Sequence, residues 1–440
     1  MKRIGLIIVI AFFTLKLFSQ NTNENIKISS IFLNALVSNK FDTAFSYFSP
    51  ELKTQLSKEK LGSVWTGLIK QTGDFKEVEN VTTEKSGKFE TIITTCVFEG
   101  VKLKMRLSFD KIGKIGGLYF VPAEQMVFAK APSYSKPDLY EEKPISIDSR
   151  EYQLPGILSM PKGLKNVPIV ILIHGSGPND MDETIGPNKP FRDIAAGLAS
   201  NGIAVIRFDK RTKVYGTKLK EIANLTVDEE VLEDAKTAIS LAKTFPNIDT
   251  SKIFVLGHSL GAMLAPRIAS KNTSLKGIIM MAGNSRPLEE LLIEQYNYIF
   301  SLDGISKEEQ VEIDKLKTQI EKLHSKDFNL ATSASELPLN LPSSYWLDLN
   351  NYKQKEVAQS LSLKMLILQG KRDYQVTMTD FDGWKTALKK KKNVSFISYP
   401  DLNHLFIEGS EKSIPQEYQK EANVSQKVVE DIVTWIKKIK

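Results

Sequence analysis

A chain of 440 residues, 42% of them hydrophobic, is too long for one ordinary domain and rich enough in apolar side chains to bury a large core, so two domains are expected. The formal charge of +7 falls to +4 once Lys2, Arg3 and Lys16 are set aside, since they lie in a stretch without acids, and so small an excess gives little reason to expect a nucleic-acid partner. The one cysteine, Cys96, excludes an intramolecular disulfide, and its place far from the N-terminus excludes a lipid-anchored cysteine at a mature start.

Residues 1–20, MKRIGLIIVIAFFTLKLFSQ, have two positive residues, an apolar run from Ile4 to Phe13 and a more polar tail, the layout of a secretory signal peptide. The run is short for a bilayer span, so an exported protein, periplasmic or secreted and bacterial, with no stable membrane anchor after cleavage is expected. In residues 26–37, Ile28, Ile31, Phe32, Ala35 and Leu36 recur at helical spacing, and further helical material runs to Lys70. From Phe75 the period changes to alternation, in FETIITTCVFEG, VKLKMRLSFD and GGLYFVPA, with EKSGK and KIGKIGG as hairpin turns. Helices followed by a meander make a small α+β domain over 21–131. Residues 132–145, mixing proline, serine and charge, have the composition of a linker.

Beyond the linker, over 146–440, strand and helix alternate. VPIVILIHGSG, GIAVIRFDK, KIFVLGHS, KGIIMMAG, KMLILQG and VSFISYP read as strands, and the helices between them imply an α/β fold with a mostly parallel sheet. Residues 286–361 interrupt the rhythm with charged helical and then proline-rich sequence, too long for a connection, and are expected to form an inserted helical cap. The lysines of KKKKN, Lys389 to Lys392, have no interleaved aromatics and read as a solvated helix end.

Gly257, Ser259 and Gly261 form Gly-x-Ser-x-Gly between a buried strand and a helix, with His258 and Leu260 between them. A serine on so sharp a turn projects its hydroxyl, and larger side chains two places away would strike neighbouring backbone. With glycine and serine each about 7% of residues, the three matches arise by chance on the order of once in seven chains of this length, so the strand-to-helix setting carries the reading.

A serine hydroxyl needs a base, and the base an orienting acid. Four histidines are present. His258 flanks the serine on its own turn, His174 directly follows a strand upstream, and His324 lies in the charged helix of the insertion, which leaves His404 in YPDLNHLF. Asp373 in MLILQGKRDYQV is the expected acid. Asp380 and Asp382 are placed to start the next helix, and Asp401 is too close in sequence to His404 to orient it from a separate strand. Oxyanion donors are expected from the N–H of Leu260 and from HGSGP, at Ser176 with Gly177 as the alternative.

Gly-His-Ser-Leu-Gly (257–261), His-Gly-Ser-Gly-Pro (174–178), Gly-Lys-Arg-Asp (370–373) and Asn-His (403–404), in the order Ser, Asp, His, resemble the α/β-hydrolase superfamily over about residues 145–440. In detail the sequence is similar to exported bacterial hydrolases of the serine-aminopeptidase-like or esterase/lipase-like branch. The order of elements in 24–130 resembles the nuclear-transport-factor-like domain of unknown function that often precedes them.

The resemblance implies a serine hydrolase acting on a small-molecule ester through an acyl-enzyme, or on a short peptide as an aminopeptidase, with no cofactor. A non-catalytic binding protein with an inactive hydrolase fold is the reading from a different class, and the presence of all three triad residue types counts against it. Tyr345 and Trp346 of the cap are candidates for the substrate pocket, although aromatics are more often packing residues. In RFDKR a structural ion pair is favoured over a substrate contact. The acidic stretch Asp180, Asp182 and Glu183 reads as a solvated turn and not as a metal site, and Pro266 should interrupt the helix after the nucleophile.

Overall fold

The computed structural model describes residues 22–86, 89–123, 129–219, 222 and 224–439. The stretch read as a signal peptide lies outside the described residues. Among those described, no helix is long and apolar enough to cross a membrane. The chain divides into two units, 1–127 and 128–440.

In the first unit, α1 (22–37), α2 (Phe41–Ser46), α3 (Pro50–Gln55) and α4 (Lys58–Thr72) precede β1 (Phe75–Ser86), β2 (Phe89–Phe98), β3 (Lys102–Phe109) and β4 (Ile115–Pro122). The strands form an antiparallel meander in the order β1-β2-β3-β4. Ser49 and Ser57 cap α3 and α4 by accepting the amides of Leu52 and Lys60. Alternate β3 residues, Leu103, Met105, Leu107 and Phe109, turn onto Phe32, Leu36, Leu61 and Trp65 of the helices. The intervening Lys102 and Arg106 pair with Glu79 and Glu84 on the solvent side. Cys96 is buried in this core, where desolvation pushes its thiol up to about 11.

The second unit contains β5 (Tyr140–Ser149), β6 (Tyr152–Pro161), β7 (Val167–Ile173), α5 (Pro190–Ser200), β8 (Ala204–Phe208), α6 (Arg211–Leu219), α7 (Glu233–Ala242) and β9 (Ile248–His258). Then come α8 (Leu260–Lys271), β10 (Leu275–Met281), α9 (Leu288–Ser301), α10 (Lys307–His324), α11 (Ser343–Asn351), α12 (Gln354–Ser360), β11 (Lys364–Gly370), α13 (Met378–Leu388), β12 (Val394–Tyr399) and α14 (Gln426–Lys438). Its eight-stranded sheet has the order β12-β11-β10-β9-β7-β8-β6-β5. Neighbours from β12 to β8 are parallel, and β6 and β5 add antiparallel at one edge.

The nearly continuous apolar runs of the central strands are explained by helices on both faces. Ile169, Ile171 and Ile173 of β7 join the core under α7 and α8, whereas Val170 and Leu172 join the core under α5 and α14. Between β10 and β11 the chain departs into α9 to α12, the cap expected at 286–361.

Residues 132–145 are not a loose linker. Tyr134 Oη donates to Val424 O at 2.7 Å, the Lys136 amide to Ser200 Oγ at 2.8 Å, and β5 already begins at Tyr140. The first residues of this edge strand are exposed on both faces, so they carry the same charged and prolyl composition as a linker. Pro266 does not end its helix, which runs through it to Lys271. The proline withholds one N–H, and in the preceding turn Tyr352 Oη of the cap donates to Met263 O at 2.8 Å.

Trp384 of α13 is fully buried and donates to Gly283 O at 2.8 Å, so it joins the helix to the segment entering the cap. Trp384→Ala should cost about 3–5 kcal/mol in denaturant unfolding of the second unit.

Candidate active site

The elbow is strained as its sequence demands. Ser259 holds φ 52° and ψ −116° between β9 and α8, a conformation that costs on the order of 1–3 kcal/mol for a non-glycine residue. Its N–H is fixed by Met281 O at 2.9 Å, and its carbonyl starts α8 by accepting the Met263 amide at 3.0 Å. A Cβ at Gly257 would strike the Gly261 carbonyl, and one at Gly261 would strike the carbonyl of Ile173 at the end of β7.

Asp373 and His404 come from the loops after β11 and β12 and meet, with His404 Nδ1 2.7 Å from Asp373 Oδ2. Both residues are buried. Asp373 Oδ1 accepts the amides of Gln375 at 2.7 Å and Val376 at 3.0 Å, and Gln369 Nε2 donates to Oδ2 at 3.1 Å. Asn403 shapes the neighbouring loop, its Oδ1 accepting the amides of Leu405 and Ile407.

The competing acids lie elsewhere. Asp401 is exposed, and its carbonyl accepts the Gly409 amide. Asp380, fully buried in the first turn of α13, holds Arg286 and the Ser285 amide at the entry to the cap. Asp382 is exposed beside Lys385. The other histidines are also accounted for. His174 Nε2 bonds Asp180 O at 2.9 Å, and burial lowers its pKa to about 4. His324 on α10 is exposed, 3.4 Å from Glu289.

A cavity of about 290 Å³ brings Ser259, His404, Leu260 and Ser176 together. Leu288, Leu291 and Leu292 of α9 and Leu339 of the cap give it an apolar wall, completed by Ile185 and Val376. Gln295, Gln375, Asn179 and Asn284 supply neutral polar groups. The Gly175 amide, one residue before Ser176, is taken by Glu183 Oε1 at 2.6 Å.

Tyr345 and Trp346 do not line this cavity, which corrects the expectation that they form a substrate pocket. Tyr345 Oη donates to Glu230 Oε2 at 2.7 Å and Trp346 Nε1 to Pro338 O at 3.2 Å, both within the core beneath the cap. Amphipathic aromatics at a cap-to-body junction satisfy their one polar atom internally and spend the ring on packing.

A second correction concerns Asp180, Asp182 and Glu183. This is no solvated turn. Asp182 pairs with Lys189 and with Arg207 Nε, both at 2.9 Å, and Glu183 is 2% exposed, its Oε2 3.0 Å from His258 Nδ1. His258 Nε2 in turn reaches the main-chain carbonyl of His404 at 2.9 Å. The pair escapes a local reading because an acid-rich stretch looks solvated until its partner, distant in sequence, is known. The charges of RFDKR are structural, as expected: Arg207 binds Asp182 and Glu142, Lys210 binds Glu230, and Arg211 binds Asp234. Among the described residues no group of three or more His, Cys, Asp or Glu is placed to hold a metal ion.

Residues 168–306 match the family described as "Serine aminopeptidase, S33", and residues 29–118 match one described as "Protein of unknown function (DUF3887)". The chain is 39% identical over 408 residues to the Esterase EstD of Thermotoga maritima, covering 93% of this chain and 94% of that one. Among solved structures, Est1E from Butyrivibrio proteoclasticus is 16% identical with a TM-score of 0.43, covering 67% of this chain and 98% of its own. A hyperthermophilic esterase from the archaeon Pyrobaculum calidifontis is also 16% identical with a TM-score of 0.43, covering 68% of this chain and 85% of its own.

Trp346→Ala should therefore lower stability by about 3–5 kcal/mol while leaving the order of preference among acyl esters unchanged. A thermal melt and an ester panel on the same sample separate the two effects, and a changed chain-length preference would return Trp346 to the pocket.

Proposed function

The chain belongs to the α/β-hydrolase family of that Thermotoga maritima esterase and is a serine ester hydrolase, and on that premise we propose that it works through Ser259, His404 and Asp373 by way of an acyl-enzyme. The observation that carries this reading is the buried 2.7 Å contact between His404 Nδ1 and Asp373 Oδ2 beside a cavity shared with the strained Ser259.

In the first half-reaction His404 Nε2 takes the Ser259 proton as the hydroxyl oxygen attacks the ester carbonyl. The imidazolium that forms is held by Asp373, whose second oxygen is already occupied by two amides and so keeps the carboxylate oriented. The N–H groups of Leu260 and Ser176 stabilise the oxyanion, because both line the cavity and the Gly175 amide is engaged elsewhere. His404 then returns the proton to the leaving alcohol, and water enters by the same route to release the acid.

The lining supports an uncharged substrate. A peptide's terminal ammonium needs an available carboxylate, and Glu183, the one carboxylate among the lining residues, already serves the Gly175 amide and His258. Apolar leucines of α9 and a volume of about 290 Å³ suit a short acyl ester better than a long-chain one. We further propose export, on the layout of residues 1–20.

A fluorophosphonate probe on residues 21–440 should label Ser259, and acetyl and butyryl esters should be cleaved well ahead of palmitoyl esters and aminoacyl-arylamides. Faster cleavage of the arylamides would favour the aminopeptidase reading. Ser259→Ala and His404→Ala should lower kcat by several orders of magnitude, and Asp373→Ala by about 10⁴-fold, whereas Asp401→Ala should cost far less. If Asp401→Ala proves the worse lesion, the acid is misassigned.

A further inference from the structure

Glu183 and His258 are buried, ionisable and unused by the reaction above. Glu183 Oε1 accepts the Gly175 amide at 2.6 Å, its Oε2 lies 3.0 Å from His258 Nδ1, and His258 Nε2 bonds the His404 carbonyl at 2.9 Å. The Nδ1···Oε2 contact is poorly aligned for a hydrogen bond, and neither atom has such a partner among the described residues, so each faces chiefly the other's charge.

Proton accounting follows from the chemistry of the neighbours. A carbonyl only accepts, so Nε2 must carry a proton. A carboxylate oxygen 3.0 Å from Nδ1 favours a proton on that atom as well, and with it the imidazolium form of His258. Burial disfavours that cation, but the Glu183 charge and the His404 carbonyl outweigh it and raise the His258 pKa. Burial likewise opposes the Glu183 carboxylate, and His258 reverses this and holds it below the ordinary value.

A buried ion pair is poor value as a stabiliser, because desolvation cancels most of its attraction. Its place in the fold suggests another use. It ties together the segment after β7 that holds Ser176, the elbow that holds Ser259, and the loop that holds His404, with the His258 and His404 ring centroids 4.7 Å apart.

We propose that Glu183 and His258 are a positioning pair that holds the Gly175–Ser176 segment and the His404 main chain in register with Ser259 during ester cleavage. This rests on the Ser259–His404–Asp373 reading. Neither residue exchanges a proton with substrate; both act by keeping the base and one oxyanion donor in place.

The groups facing His258 are Glu183 from the segment after β7, His404 from the loop after β12 and Asp373 from the loop after β11. Behind Glu183 stand His174, whose pKa of about 4 keeps it neutral, and Lys210, which donates to Gly175 O at 2.8 Å and pairs with Glu230. Because the His258 pKa is raised, its contribution is present at lower pH and is lost as pH rises through that raised value. The Glu183 contribution is lost only as pH falls through its lowered value. Loss of the His258 proton therefore sets the alkaline limb of kcat/KM.

The test is the pH profile of short-acyl ester cleavage by the full chain and by His258→Gln, Glu183→Gln and Ser259→Ala, with melting curves to verify folding. His258→Gln should lower kcat by about 10- to 100-fold with KM nearly unchanged, and should abolish the alkaline limb. Glu183→Gln, which keeps an acceptor for Gly175 but removes the charge, should move that limb to lower pH. A folded His258→Gln enzyme with wild-type kcat and an unmoved alkaline limb would overturn the positioning pair. Should the variants fail to fold, ¹⁵N shifts of the wild-type histidines decide: both His258 nitrogens protonated at neutral pH is expected, and a neutral imidazole overturns the proposal. An active Ser259→Ala protein would instead overturn the nucleophile assignment, so the two failures are distinguishable.

Discussion

The close approach of α8 to the end of β7 is the constraint on which the rest of the site depends. Gly261 sits against the Ile173 carbonyl, and Gly257 against Gly261 itself, so the first turn of α8 is pressed onto the neighbouring strand. That contact holds Ser259 at positive φ and brings it into one cavity with Ser176, which follows β7. Parallel pairing of β7 with β9 puts the two strand ends side by side, so Ser259 and the Ser176 segment are neighbours because the strands are.

The opposite wall is assembled by different physics. Asp373 and His404 belong to loops, which lack a ladder to fix them, and their positions are set by side chains that bond main chain. Asn403 turns the His404 loop, and Arg372 joins the Asp373 loop to the carbonyl of Glu411 and, at 2.6 Å, to Glu417. The strand ends supply direction and the polar staples supply precision, as expected where loops carry side chains over a rigid sheet.

Much of this was legible in the sequence because it depends on local rules. The tight turn at Ser259 is written in three positions and the parallel strands in their unbroken apolar runs, and the places of His258 on the serine's own turn, His174 after an upstream strand and His324 in the inserted helix leave His404 as the expected base. What could not be read depends on partners far apart in the chain. Glu183 has the composition of a solvated acid and becomes a buried one only because His258 folds against it. The start of edge strand β5 has the composition of a linker because Glu141 to Pro144 meet water on both of its faces. Tyr345 and Trp346 looked like pocket residues because side-chain type does not reveal which side of a cap helix faces the cleft.

The distribution of charge around the cleft argues for the division of labour between cap and body. Arg207, Lys210, Arg211 and Arg267 are all neutralised by acids: Asp182 and Glu142, Glu230, Asp234, and Asp348 respectively. Because Glu230 also accepts Tyr345 Oη and Arg267 reaches Asp348 of α11, two of these pairs bridge body and cap. The cap is thus tied down by charge at its periphery while α9 faces the cavity with leucines. These pairs stand apart from the cavity wall, which holds the Ser259 hydroxyl, neutral amides, apolar side chains and the Glu183, His258 and His404 groups. In the proposed acyl transfer, the oriented N–H groups of Leu260 and Ser176 act on the oxyanion, while the Glu183 carboxylate beside them is already held by the Gly175 amide and His258.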